Sequence, residues 1–487
     1  MGAHGERALA DAAVVLDIVR ADYAGWPTKS EGPLAEATTQ AEASMLAKAR
    51  AAETPTDHYF ALADYTDAFK DAHLRIAPQV PIDWPNTSGG GGEFLSEDAA
   101  VAAGLPAIAP GDAAPTSRED FAARLGALGT ARDPIEAIWS IDGDRYVVGV
   151  IRGEGGDVFE AEVLSSTAEG WAPGQRKALF AGDGQGGYVA RYLAGDKSAS
   201  VVAAQTRANG QMLDLGWWGL WARAYPNPID PQLARRMSPD NSLTLERLPD
   251  GTLWMRVPSF NVENASAVRD LLEENRALLE ESEYFVVDVR NNGGGGDSTY
   301  APLLPFILTG DYAVVGVAMR TTERNIAAFG DTVAEILVDD PEEAEAFAAE
   351  LADVQRRAQE DADGDGFTSM RAQAETVVAV EPAPGNRHVA VLIDNAGSSA
   401  EQFVLAVQDA DNVVTFGKEN TYGVLDYSNV VSEMLPSGIM ALNWPVTRSL
   451  RLPDNPVDDE GIAPEVRLGA EVDDPVTAAL EWLKANP

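Results

Sequence analysis

The run Asp394-Asn-Ala-Gly-Ser-Ser-Ala-Glu-Gln-Phe403 constrains the fold more than any other stretch of the chain. An apolar segment, His388 to Ile393, precedes it and reads as a buried strand. Asn395-Ala-Gly397 supplies a tight turn, and a helix follows the two serines. A strand that passes so abruptly into a helix belongs to an α/β layer, where a serine hydroxyl can stand above the end of the sheet. The helix N-terminus then points at whatever that serine attacks. A second turn of the same kind lies upstream, Asp288-Val-Arg-Asn-Asn-Gly-Gly-Gly-Gly296, again after an apolar strand. One turn can supply a nucleophile and the other the backbone N–H groups that hold an oxyanion, which is the logic of a serine hydrolase.

Each of these features has a plainer reading. Ser398-Ser-Ala-Glu401 is also a capping box, with serine at the N-cap and glutamate three residues on. The two readings are compatible, because the capping position is where the helix dipole favours a developing anion. Gly293 to Gly296 permit close backbone approach and positive φ, and their N–H groups with that of Ser399 would form an oxyanion hole. The plainer alternative is a flexible turn. No Gly-Lys-Ser/Thr follows, so the loop is not a phosphate-binding P-loop. Four histidines are available as a general base: His4, His58, His73 and His388. Spacing alone does not choose among them. Asp361-Ala-Asp-Gly-Asp-Gly366 resembles the start of an EF-hand loop, but Ala372 stands where the bidentate glutamate belongs, so an acidic turn is expected.

Composition narrows the function classes. Formal net charge is −41, from 77 acidic against 36 basic residues. Such a field repels nucleic acid and anionic membrane surfaces. With no cysteine, disulfides, thiolate metal sites and cysteine nucleophiles are excluded. No metal or organic cofactor is expected, and no stretch is apolar enough to span a membrane. The N-terminus lacks the basic and apolar parts of a signal peptide, so the expectation is either a cytoplasmic protein or, the reading favoured here, a periplasmic or secreted one whose signal peptide has been removed.

Along the chain, residues 1–82 read as helical, with Leu9, Val14, Val15, Ile18 and Val19 at helix spacing. Residues 83–133 read as linker, including Ser88-Gly-Gly-Gly-Gly92. Residues 134–240 form a small β domain in which Ala137–Ile141, Tyr146–Ile151, Val158–Val163 and Ser200–Ala204 alternate with Gly and Asp turns. Trp217, Trp218 and Trp221 near its end are expected to be packing residues. From 241 to 487 strands and helices alternate, with a βαβ unit built on Leu253–Val257, Ala265–Glu280 and Phe285–Val289. Residues 331–376 are a charged insertion expected to be helical.

Residues 245–470 resemble the catalytic domain of the C-terminal-processing and tricorn-like serine peptidases. The resemblance rests on Leu253-Trp-Met-Arg-Val-Pro-Ser-Phe260, Val287-Asp-Val-Arg-Asn-Asn-Gly-Gly294, Gly397-Ser-Ser-Ala-Glu401, Thr421-Tyr-Gly423 and Gly461-Ile-Ala-Pro-Glu465, in that order. Lys70-Asp-Ala-His-Leu74 is similar to an Asp-Gly-His segment found upstream in one branch. The resemblance implies an α/β fold with a crotonase-like ββα superhelix core, an N-terminal helical bundle and, here, an inserted β domain without a recognisable PDZ loop. It implies Ser398 as nucleophile and an oxyanion hole from Ser399, Gly293 and Gly294. Val424 occupies the place of the lysine base used in one branch, and Lys418 lies nearby at the wrong spacing. The histidine branch implies His73 as base and Asp458 as orienting acid, with Asp459 and Glu460 as alternatives. The activity implied is hydrolysis of peptide bonds in unfolded chains or peptides. A silent peptide-binding protein and a hydrolase of small esters or amides are the alternatives. Oligomeric state is not legible.

Overall fold

The computed structural model describes residues 2–32, 34–82, 95–111, 114–153, 156–237, 241–337, 341–360, 364–371, 373–385 and 387–486. The Ser88–Gly92 run, Asp361 to Asp363, Ala372 and the Trp217 side chain lie outside the described residues. The chain forms two compact units, one from residues 1–83 and 241–487, the other from residues 84–240.

The first unit is built on a six-stranded sheet. Its order is Thr244–Arg247, Leu253–Arg256, Tyr284–Asp288, His388–Leu392, Val413–Gly417, Val466–Arg467, and only the first pair is antiparallel. Parallel strands need both faces covered, and the alternation of side chains shows how this is done. Leu253, Met255, Phe285, Val287, Val389 and Val391 pack against Val268 and Leu272 of the helix Ala265–Glu274 and Phe403 and Val404 of the helix Ser399–Val407. Trp254, Val286, Ala390 and Leu392 face the other way, onto Val476, Ala479 and Leu483 of the helix Pro475–Ala485. This is the α/β core expected from the sequence. The loop Arg290–Gly296 and the turn Asp394–Ser398 both leave carboxyl ends of adjacent parallel strands, where open α/β sheets place their sites.

A second sheet of the same unit joins Arg75–Pro78, Met440–Ser449, Val317–Arg320 and Phe367–Ser369, with Tyr427–Met434 paired to Met440–Ser449. The N-terminal helices Ala3–Ala21, Ala35–Ala51 and Pro55–Asp67 bury Ala12, Val15, Val19, Met45 and Leu62 against it. Two corrections follow. Residues 75–78, inside the stretch read as helical, are a strand, because Arg75–Pro78 pairs with Met440–Asn443. The insertion is helical over Glu323–Ile336 and Pro341–Glu360 and then turns to strands at Phe367–Ser369 and Glu375–Val378. Those strands pair with Ala318–Arg320 and Tyr312–Val315, so tertiary pairing overrides the composition.

The second unit is a closed antiparallel barrel of eight strands, from Ala137–Ile141 to Leu220–Tyr225, each paired to the next and the last to the first. Closure removes the exposed edges that a short β domain would otherwise present. Trp221 is fully buried in its core, and the Trp218 ring packs there against Tyr192.

One barrel residue is at odds with its surroundings. Lys177 is 0% exposed, and its Nζ has no hydrogen-bond partner. The ammonium sits 4.0 Å from the Trp171 ring and 4.1 Å from the Tyr146 ring. A β-bulge opposite Ala161 and Glu162 leaves Lys177 unpaired in the ladder and re-aims its side chain. Burial pushes its pKa down to about 7, with Arg145 adding to the shift and Asp196 opposing it. The unfolded chain therefore binds more protons between that value and the ordinary 10.5. Stability rises with pH across this window and is lost as the pH falls through the folded value. Lys177→Met should stabilise the protein by roughly 1–3 kcal/mol at pH 6 and by less at pH 10, as read by urea unfolding at the two pH values.

Candidate active site

Ser398 is held in an unusual backbone conformation, φ 55° and ψ −122°. A non-glycine residue with such angles stores strain of roughly 1–3 kcal/mol and keeps it only where the surroundings over-determine it. Here the surroundings are a buried carboxylate and a glycine loop.

The carboxylate is Glu401, one turn into the helix and fully buried. Its Oε2 accepts the N–H of Ser398 at 3.0 Å and that of Val424 at 2.9 Å. Its Oε1 accepts the Thr421 hydroxyl at 2.6 Å and the Gly423 N–H at 2.7 Å. Burial raises its pKa, and the four donors pull against that rise. Glu401 therefore does more than cap its own helix: it fastens the segment Thr421–Val424 to the nucleophile turn.

The glycine loop is locked by Asn292, also fully buried. Its side-chain oxygen accepts the N–H of Gly294 at 2.9 Å and of Phe260 at 3.2 Å, and its amide donates to the Val257 carbonyl at 3.0 Å. Its own carbonyl accepts the Gly397 N–H at 2.8 Å, which joins the two turns. Gly294 adopts φ 92°, and a Cβ there would lie 2.6 Å from the Gly397 carbonyl, 2.7 Å from the Ser399 nitrogen and 2.8 Å from the Ser398 Cβ. Close approach, not flexibility, explains this glycine.

These contacts separate the three residues expected to hold an oxyanion. The Gly294 N–H is taken by Asn292, so Gly294 acts through its missing side chain. The N–H groups of Gly293 and Ser399 have no intramolecular acceptor among the described residues. Gly293 also lines a cleft of about 430 Å³ with Leu243, Pro258, Ser259, Asn264 and Val268.

The histidines fall apart just as clearly. His58 is buried against Asp11 at 3.1 Å, and Asp11 also accepts the Ser437 N–H and hydroxyl, so this group ties the first helix to the second sheet. His4 lies edge-on to His58, and burial lowers its pKa. His388 stacks on Tyr284 at the start of its strand. His73 follows the helix Pro55–Asp67, and its Nδ1 donates to the Tyr427 carbonyl at 2.6 Å. A carbonyl can only accept, so Nδ1 carries the proton and Nε2 of the neutral ring is left as an acceptor. Tyr427 lies three residues beyond Val424. One end of the segment Thr421–Tyr427 is thus fastened through Glu401 to Ser398, and the other carries His73.

No hydrogen bond joins Ser398 Oγ to His73 Nε2, and none joins Asp458 to His73. Asp458 Oδ1 accepts the Asp426 N–H at 2.7 Å instead. The Tyr427 carbonyl occupies the place at Nδ1 expected for Asp458. Burial pushes the Asp458 carboxyl up to about 7; Asp71 and Asp426 add to the rise, while the Asp426 N–H and Lys29 oppose it. Asp459 and Glu460 are exposed, and neither bonds to His73. The Lys418 carbonyl accepts from Arg467 in the loop after Val413–Gly417. Sequence reasoning missed Asn292, Thr421 and the Tyr427 carbonyl. Asn292 was legible only as part of a turn, and no side-chain pattern signals a carbonyl acceptor. Among the described residues, no group of side chains is arranged to hold a metal ion and no helix is long and apolar enough to cross a membrane.

Residues 251–468 match the profile of peptidase family S41. No curated protein matches the chain. Among solved structures, mature CPAF is similar over 99% of this chain and 96% of its own, at 13% identity and a TM-score of 0.50. Mature CPAF complexed with lactacystin is similar over 100% and 98%, at 13% identity and 0.49. The photosystem II D1 C-terminal processing protease covers 97% and 94%, at 15% identity and 0.35. At such identities the likeness to mature CPAF is one of fold.

Two outcomes test this geometry. Glu401→Gln places an amide donor against donors already aimed at the carboxylate, and should cost about 2–3 kcal/mol of stability, read by urea unfolding. Asp458 tests the electrostatics. Its folded pKa is raised, so the folded chain binds more protons between the ordinary 3.8 and about 7. Stability should fall as pH rises through that window. Asp458→Asn should remove much of the fall, gaining roughly 1–3 kcal/mol at pH 8 and little at pH 4.

Proposed function

We propose, from the match of residues 251–468 to peptidase family S41, a serine endopeptidase acting on unfolded chains or peptides, with Ser398 as nucleophile and His73 as general base. The observation that carries the reading is the His73 ring. Its Nδ1–H is spent on the Tyr427 carbonyl, so Nε2 is the atom that can take a proton.

In this reading His73 Nε2 takes the Ser398 hydroxyl proton as Oγ attacks the scissile carbonyl carbon. The electron pair displaced onto the carbonyl oxygen is held by the N–H groups of Ser399 and Gly293, aided by the helix dipole at Ser398. His73 then gives its proton to the leaving amine, and water repeats the sequence on the acyl-enzyme. Asp458 is the acid of the set. It shares its surroundings with Asp71 and Tyr23, and in its ionised form its charge favours the imidazolium. The missing Ser398–His73 hydrogen bond fits a site that tightens on substrate, as catalytic contacts often do. The acidic surface selects against nucleic acid, and a polypeptide laid along the cleft at Gly293 is the substrate the site accommodates.

The test is hydrolysis of fluorescein-labelled casein, with fluorophosphonate labelling read by intact mass. Ser398→Ala should abolish both. His73→Ala should lower hydrolysis by about a thousandfold or more, the scale of a lost general base and its nucleophile activation. Full casein hydrolysis by Ser398→Ala would sink the proposal, and labelling that survives in His73→Ala would point to a different base.

A further inference from the structure

The first helix and the loop after it bear on the proposed base. Residues 20–24 are fixed to the body of the first unit by several bonds. Arg320 donates to the carbonyls of Tyr23 at 2.6 Å and Arg20 at 2.8 Å. Asn325 donates to the Asp22 carbonyl at 2.7 Å, and the Ala24 N–H donates to the Pro445 carbonyl at 3.0 Å. The Tyr23 side chain is fully buried, edge-on to Phe69 and tilted against Tyr427. A Cβ at Gly25 would lie 2.2 Å from its hydroxyl oxygen, so the loop is shaped around the phenol.

That phenol donates to Asp71 Oδ2 at 2.7 Å. The other oxygen of the same carboxylate accepts the His73 N–H at 2.9 Å. Asp71 is almost fully buried and burial drives the Tyr23 pKa well up, with Asp71 adding to it, so the phenol stays a donor. Lys29 completes the frame: its Nζ donates to the Lys70 carbonyl at 3.1 Å and stands 5.1 Å from the centroid of the Tyr427 ring. The backbone of His73 is therefore anchored by Tyr23 through Asp71, and its ring by the carbonyl of Tyr427. The two anchors meet at the contact between the Tyr23 and Tyr427 rings.

We propose that Tyr23 and Asp71 are positioning residues for the general base His73, acting by fixing its backbone so that its Nδ1 reaches the Tyr427 carbonyl. This rests on the catalytic reading above. Neither residue touches substrate. The carboxylate works as a two-sided acceptor, so its geometry matters more than its charge. An asparagine can keep the acceptor for the His73 N–H and offer its amide to the Tyr23 oxygen.

The experiment measures kcat and KM for labelled casein in the full chain for Tyr23→Phe, Asp71→Ala and Asp71→Asn, with Ser398→Ala and His73→Ala alongside. Folded fraction is fixed by circular dichroism and gel filtration, and rates are expressed per folded molecule. Tyr23→Phe and Asp71→Ala should each lower kcat by about tenfold or more with KM within about twofold, since a small misplacement of a catalytic group costs rate rather than binding. Asp71→Asn should rescue most of what Asp71→Ala loses. A kcat per folded molecule that stays at the wild-type value in Tyr23→Phe and Asp71→Ala, with Ser398→Ala and His73→Ala inactive, would overturn the positioning role and leave the catalytic reading standing. Loss that Asp71→Asn does not rescue would also overturn it, because charge would then be the operative property. Activity surviving in Ser398→Ala would remove the premise itself.

Discussion

The site depends on one buried carboxylate. Glu401 has no ion-pair partner among the described residues, yet it is surrounded by four donors from two short segments, the Ser398 turn and Thr421–Val424. A carboxylate in that position is costly to bury and worth keeping only with every lone pair engaged. What it secures is a serine at φ 55° and, three residues past Val424, the carbonyl that orients His73. Asn292 does the matching work on the glycine side, joining Val257, Phe260, Gly294 and Gly397. The parallel sheet sets the frame on which both act, because its adjacent strands deliver both turns at the same end.

Much of this could be read in the chain beforehand, and the reasons are local. Ser398-Ser-Ala-Glu401 announces a helix start by side-chain chemistry, and the glycine run announces close approach. The strands at Tyr284–Asp288 and His388–Leu392 are short apolar runs bounded by turns, so period and punctuation agree. The separation of Ser398 from His73 was bridged only by resemblance, since no local rule connects residues so distant in sequence. Arg75–Pro78 and Phe367–Ser369 fall in stretches that read as helical because each is a short strand made by its partner and not by its own composition. The eight-stranded closure of the barrel was not legible either. Alternation shows that strands exist, but closure depends on the last strand finding the first, across the whole domain.

The placement of Asp458 shows where residue-by-residue transfer from a resemblance loses resolution. The acid is near the base region but bonds to the Asp426 N–H, and a backbone carbonyl does the orienting. A carbonyl fixes a tautomer as well as a carboxylate does, but it contributes no full charge to stabilise an imidazolium. In the proposed mechanism the two tasks usually given to one acid are divided, with orientation from the Tyr427 carbonyl and charge from Asp458. Under the same proposal the N-terminal segment enters the site, because Asp71 lies in the turn between the helix Pro55–Asp67 and the strand Arg75–Pro78 and accepts the His73 N–H.

Nitrogen-15 NMR of histidine-labelled protein tests most directly whether the Tyr427 carbonyl fixes the His73 tautomer. In the neutral ring, His73 should show a protonated Nδ1 with a hydrogen-bonded, slowly exchanging proton and a bare, pyridine-like Nε2. Tyr23→Phe or Asp71→Ala should blur that signature into tautomeric exchange. A neutral His73 with the proton on Nε2, or with two tautomers exchanging freely in the wild-type protein, would contradict the account.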